Sequence, residues 1–195
     1  PTPVLYDFSV PAPEGEPVEM SWFEDAVFLG DSRTDGLRLY SGIKGADFLC
    51  YKGITVFDVV DRPDKKVITI DGTQYTILEA LGREQYAKVY ISLGINELGY
   101  FNDQAFEDTF CELVDLVREL QPAAVIYLQN LPPVNPEKCK AYNQPYYVNN
   151  EKVAVYNEIL GRVAADKKVV LVDVAGALSG SDGILPADGT SDGVH

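Results

Sequence analysis

Four short segments carry residue types that together could attack a carbonyl group. Gly30-Asp31-Ser32 puts a hydroxyl directly after the apolar run Ala26-Val27-Phe28-Leu29. At the start of a following helix, that hydroxyl would sit beside free backbone N–H groups and the positive end of the helix dipole, a position suited to a nucleophile. Gly53 follows the run Asp47 to Tyr51, and Gly94-Ile95-Asn96-Glu97 follows Lys88 to Ser92. A glycine N–H and an asparagine amide are donors of the kind that stabilise a developing oxyanion. The single histidine is His195, with Asp192 three positions before it. A neutral hydroxyl needs such a base, and the base needs an orienting carboxylate.

Taken singly, each residue has a plainer use. Ser32 could cap a helix, Asn96 could serve a turn, Gly53 could be required only for its backbone angles, and His195 could be a surface residue. Other chemistries are poorly served. One histidine cannot build H-E-x-x-H, there is no G-x-x-x-x-G-K, and Thr34 stands where G-x-S-x-G needs its second glycine. Asp182, Asp188 and Asp192 lack the spacing of a calcium loop, so no metal and no cofactor is expected.

These segments must be held by regular elements. Apolar runs at Ala26 to Leu29, Asp47 to Tyr51, Lys88 to Ser92, Val125 to Leu128 and Val169 to Val172 read as strands. Phe106, Phe110, Leu113, Val117 and Leu120 form one face of a helix stopped by Pro122, and Val153, Tyr156, Ile159, Leu160 and Val163 form another. Strand, helix, strand order implies a parallel sheet, whose ligands bind beyond the carboxyl ends of the strands, where all four segments fall. Around Asp71-Gly72, Val67 to Ile77 reads as a small hairpin. Residues 1–20, rich in Pro and Glu, read as an extended arm or linker, with the domain proper at 21–195.

Thirty acidic and sixteen basic side chains give a net charge of -14, which repels phosphate backbones and argues against a nucleic-acid partner. No apolar run approaches the roughly 20 residues of a membrane helix, so membrane insertion is not expected of this segment. Cys50, Cys111 and Cys139 are odd in number and contain no C-x-x-C, which fits buried free thiols. The opening Pro1 suggests a trimmed N-terminus; with the arm and the acidic surface it points to a secreted or cell-surface bacterial protein.

The ordered blocks Gly30-Asp31-Ser32, Gly53, Gly94-Ile95-Asn96-Glu97 and Asp192-Gly193-Val194-His195 resemble the GDSL, or SGNH, hydrolases across residues 26 to 195. That resemblance implies a flavodoxin-like three-layer α/β/α sandwich with about five parallel strands. It implies Ser32 as nucleophile, His195 as general base, Asp192 as its orienter, and an oxyanion hole from Ser32 N–H, Gly53 N–H and the Asn96 side chain. Arg33 stands where the family name has leucine, and Glu97 where aspartate usually follows the asparagine; with Tyr100, both are expected on a polar substrate rim. Phe101, Tyr142, Tyr146 and Tyr147 could add stacking surface. Family members continue into a closing helix after the histidine, so His195 is expected to be poorly held.

The expected activity is hydrolysis of small esters, chiefly acetyl groups on carbohydrate, through an acyl-enzyme on Ser32. A base must be uncharged, so activity should fall below about pH 6 to 7. The alternatives are a cell-wall sugar O-acyltransferase and a non-catalytic carbohydrate-binding module on a degenerate scaffold.

Overall fold

The structure, a computed structural model, describes residues 6–195. Within the arm, residues 6–19 form no helix or strand, and Ala12 N–H donates to Leu171 O at 2.8 Å; positions 1–5 lie outside the described residues. A 3-10 turn at Met20–Phe23 leads into β1 (Ala26–Gly30), α1 (Ser32–Tyr40), β2 (Asp47–Cys50) and α2 (Val56–Asp61). A two-stranded antiparallel ribbon, β3 (Ile68–Ile70) and β4 (Thr73–Tyr75), follows with α3 (Ile77–Leu81). The second half runs β5 (Lys88–Ser92), α4 (Asp103–Leu120), β6 (Val125–Gln129), α5 (Pro136–Ala141), α6 (Asn150–Lys167), β7 (Val170–Val172) and α7 (Val174–Leu178).

The main sheet has five parallel strands in the order β2-β1-β5-β6-β7. This is the expected α/β architecture, and each of the five apolar runs forms one strand. β1 is buried along its whole length, which is why it reads as a continuous apolar run rather than an alternation. On one sheet face, Val27, Leu29, Val89, Ile91 and Leu128 pack against α2, α3, α4 and α6. The stripe of α4 is fully buried there, from Phe106 to Val117.

The opposite face carries α1 and a row of aromatic rings. Phe48, Phe28, Tyr90 and Tyr127 stack across β2, β1, β5 and β6 with centroids 4.9, 4.6 and 4.6 Å apart. Phe23 and Leu37 cover part of this row. In the ribbon, Asp71 and Gly72 both take positive φ, 50° and 79°, the geometry expected of a tight hairpin turn. No helix among the described residues is long and apolar enough to cross a membrane.

Candidate active site

Ser32 opens α1 immediately after β1. Asp31 caps that helix, its carboxylate accepting from Arg33 N–H at 2.8 Å. Burial raises the Asp31 carboxyl, and the Arg33 N–H bond only partly opposes it. With Asp31 taking the capping role, the Ser32 hydroxyl is free to face outward. Its Oγ lies 2.8 Å from His195 Nε2, and His195 Nδ1 lies 2.9 Å from Asp192 Oδ2. A proton on Nδ1 satisfies the carboxylate and leaves Nε2 as an acceptor for the serine hydroxyl.

His195 is tied down rather than frayed, contrary to expectation. Asp192 Oδ1 accepts from the N–H groups of Val194 and His195 at 2.9 and 2.8 Å, so one carboxylate shapes the loop and orients the ring. The His195 carbonyl accepts from Ser191 N–H and from the Thr190 hydroxyl, both at 2.7 Å. Beneath the loop, Asn135 N–H donates to Gly193 O at 2.9 Å, and Lys138 Nζ reaches Thr190 O. Gly193 has φ +93°, and a Cβ there would lie 2.6 Å from both N and Sγ of Cys139. Only glycine fits that position. Burial works to raise the Asp192 carboxyl, but the bonds from the His195 ring and the two N–H groups outweigh it and hold it down to about 2.

Among the described residues, neither Ser32 N–H nor Gly53 N–H donates to another protein group. The Asn96 side-chain amide gives one hydrogen to Ile54 O at 2.9 Å, and its second hydrogen remains for a ligand. Ser32, Gly53, Asn96 and His195 share the wall of a cavity of about 210 Å³ with Ile95 and Tyr147. A larger cavity of about 780 Å³ begins on the other side of Ser32 and His195.

Of the expected rim residues, Glu97 and Tyr100 line neither cavity, and Arg33 lines only the larger one. Glu97 is buried: the 3-10 turn Ile95–Glu97 points its side chain inward, where Oε1 accepts from Val56 N–H at 2.6 Å. There it satisfies the first N–H of α2, while the Thr55 and Asp58 capping box serves the rest of that helix start. Its Oε2 has no partner, and burial, reinforced by the charges of Asp31 and Asp58, pushes the carboxyl up to about 8. Arg33 lines the larger cavity but turns its guanidinium inward. Nε donates to Val194 O at 3.1 Å, a weaker contact joins Nη1 to Pro132 O at 3.5 Å, and Nη2 is buried without a partner. Burial pushes that guanidinium down to about 10 despite neighbouring Asp31 and Asp192. Tyr100 is half-exposed, leans on Phe57 at 4.5 Å between centroids, and lines neither cavity.

Of the tyrosines in the loop after β6, only Tyr147 reaches the small cavity; Tyr142 and Tyr146 stay exposed. Gln144, which no local pattern marks, donates from Nε2 to Asp192 Oδ2 at 3.2 Å. The three cysteines are free, with Cys139 buried and Cys50 and Cys111 half-buried. Among the described residues no three His, Cys, Asp or Glu side chains gather in a way that could hold a metal ion.

A serine, a histidine and an aspartate hydrogen-bonded in series at the carboxyl edge of a parallel sheet define the serine hydrolase class. The model of the GDSL-like lipase/acylhydrolase family matches residues 28–195, and the chain belongs to that family. It is an acylhydrolase that acts on carboxylic esters. No curated protein sequence matches the chain.

Similar solved structures include a GDSL-like lipase from Bacteroides thetaiotaomicron, with TM-score 0.64 and 19% identity over 93% of this chain and 83% of that one. The lipase/acylhydrolase from Enterococcus faecalis gives 0.56 and 17%, covering 87% and 86%. The acetyl xylan esterase AlAXEase gives 0.51 and 14%, covering 78% of each chain.

Proposed function

We propose that the protein is a serine esterase that removes acetyl groups from carbohydrate, with Ser32 as nucleophile, His195 as base and acid, and Asp192 as its orienter. The observation that carries this reading is the unbroken series Asp192 to His195 to Ser32, at 2.9 and 2.8 Å, beside unpaired N–H donors. As Ser32 Oγ bonds to the ester carbon, its proton passes to His195 Nε2. The negative charge that grows on the carbonyl oxygen faces Ser32 N–H, Gly53 N–H and the Asn96 amide, donors worth several kcal/mol, about 3–4 each in the best-studied case. Collapse breaks the bond to the alkoxy oxygen, which takes the proton from His195 and leaves as alcohol. Water, deprotonated by the same imidazole, then cleaves the acyl-enzyme and restores the serine.

The small cavity beside the three donors favours a short acyl group, and the name of the acetyl xylan esterase points the same way. A secreted or cell-surface site of action belongs to the same reading. The test is turnover of p-nitrophenyl acetate, butyrate and octanoate by the wild type, S32A and H195A. Acetate should be preferred, and both substitutions should remove nearly all activity. Faster octanoate turnover would defeat the acetyl assignment, and an active S32A would defeat the nucleophile. Acetyl transfer to an added sugar in place of acetate release would point instead to an acyltransferase.

A further inference from the structure

Ser32 and His195 separate two cavities of unequal size, and the oxyanion donors Gly53 and Asn96 line only the smaller one. The larger is bounded by the loop that carries the base, at Asp188, Thr190, Ser191 and Val194, and at about 780 Å³ it falls within the range of small-molecule sites. We infer that this larger cavity is the subsite for the departing alcohol, and that it takes a bulky, uncharged alcohol presenting a flat apolar face, such as a sugar ring. The inference rests on the serine-esterase reading and gives the other half of the substrate.

Each atom of the ester has a required place. The carbonyl oxygen has to face Gly53 and Asn96, which turns the carbonyl group toward the small cavity. The alkoxy oxygen has to come within reach of His195 Nε2 to receive its proton as the carbon–oxygen bond breaks, and the group attached to it then extends along the base loop. Leu39, Tyr40, Leu178 and Leu185 form the wall opposite. Three of these are unusually open for apolar residues, Tyr40 at 87%, Leu39 at 55% and Leu178 at 47%. Apolar side chains gathered around a cavity, rather than scattered, mark a contact surface, and a tyrosine ring suits the apolar face of a sugar. Asp35 and Asp188 also line this cavity, and in a protein of net charge -14 they disfavour an anionic alcohol.

The experiment compares two acetates that share the acyl group, methyl acetate and a methyl glucoside monoacetate, in the wild type, the double variant Y40A/L178A, and S32A. Because Tyr40 and Leu178 are exposed, their truncation should leave the fold intact. The double variant should lose about 10- to 100-fold in kcat/KM on the glucoside acetate, the range for lost apolar contacts in a pocket. Its turnover of methyl acetate should stay within about twofold of wild type. An undiminished rate on the glucoside acetate, or an equal loss on both esters, would overturn the subsite. A wild type that cleaves neither ester, or an S32A that cleaves both, would overturn the esterase reading itself. Changing the acyl group separates the two cavities further: Y147A should raise the butyrate to acetate ratio, and Y40A/L178A should not. The reverse pattern would exchange the two assignments and defeat the inference.

Discussion

Gly193→Ala offers the sharpest probe of the loop that holds the histidine. At φ +93° an L-residue is strained, and the added methyl would lie 2.6 Å from Cys139 N and Sγ and 2.8 Å from Asn135 O. Backbone strain in such a conformation costs about 1–3 kcal/mol, and forcing a methyl into a packed site costs about 1–3 more. Two of the three atoms belong to the backbone of α5 and its cap, so they cannot swing aside as a flexible side chain would. The relief available is for residues 190–195 to lift from α5, carrying the ring of His195 away from Ser32. A misplacement of about 1 Å is worth roughly 100-fold in rate. Denaturant unfolding should therefore show a loss of about 2–6 kcal/mol, or a smaller loss with kcat down by about two orders of magnitude. Gly72→Ala is the control: its φ is +79°, but its Cβ would meet open space, so it should cost strain alone and leave kcat untouched. A G193A protein with wild-type stability and turnover would refute the packing argument.

Substitutions at three further positions test the neighbours. Asp192→Asn must keep its oxygen on the N–H groups of Val194 and His195, which turns an NH2 toward His195 Nδ1 and forces the wrong tautomer; kcat should fall by about 10³–10⁴, as in serine proteases. Because the Asp192 carboxyl is held down to about 2, its stabilising contribution is present above about pH 4 and is lost as the pH falls toward 2; D192N should flatten that part of a stability-versus-pH curve. Glu97 has the opposite sign. Raised to about 8, it favours the fold most below about pH 4.5 and loses that contribution as the pH rises to 8, so E97Q should remove the decline in urea midpoint over that interval. Arg33→Leu leaves the carbonyls of Val194 and Pro132 without their donor, and should cost about 1–3 kcal/mol in unfolding and lower kcat more than it raises KM; R33K should recover part of the kcat.

The sheet is legible in the sequence because buried parallel strands are written as unbroken apolar runs, and α4 and α6 because their stripes repeat at helical spacing. The blocks at Ser32, Gly53 and Asn96 are legible for the same reason: once the strands are placed, the residues just beyond their carboxyl ends must share an edge, whereas Asp192 to His195 lie past α7 and are reached only through the loop that folds back. Charge misleads where burial decides. Arg33 and Glu97 look like rim residues because long charged side chains are seldom enclosed, yet both are used inward, one on the carbonyl before His195 and one on the first N–H of α2. Gln144 and the larger cavity have no local signature, since they depend on how the segments after β6 and β7 fold back over Ser32. The expected fraying of His195 fails because hydrogen bonds within residues 190–195, together with those from Asn135 and Lys138 beneath them, hold the loop.

The stacked rings on the far face of the sheet bear on this site through register. Phe48, Phe28, Tyr90 and Tyr127 are direct partners across four strands, and in the same ladders Gly30 stands opposite Ser92. Side chains alternate faces along a strand, so a slip of one residue would carry a ring of the row to the opposite face and break the stack. The same slip would move Ser32, which follows Gly30, against Asn96, which follows Ser92, by about 3.3 Å. That is more than the 2.8 Å that joins Ser32 to His195. The aromatic row thus acts as a gauge: it sets the height at which each strand delivers its chemistry, although none of its rings lines either cavity at the site.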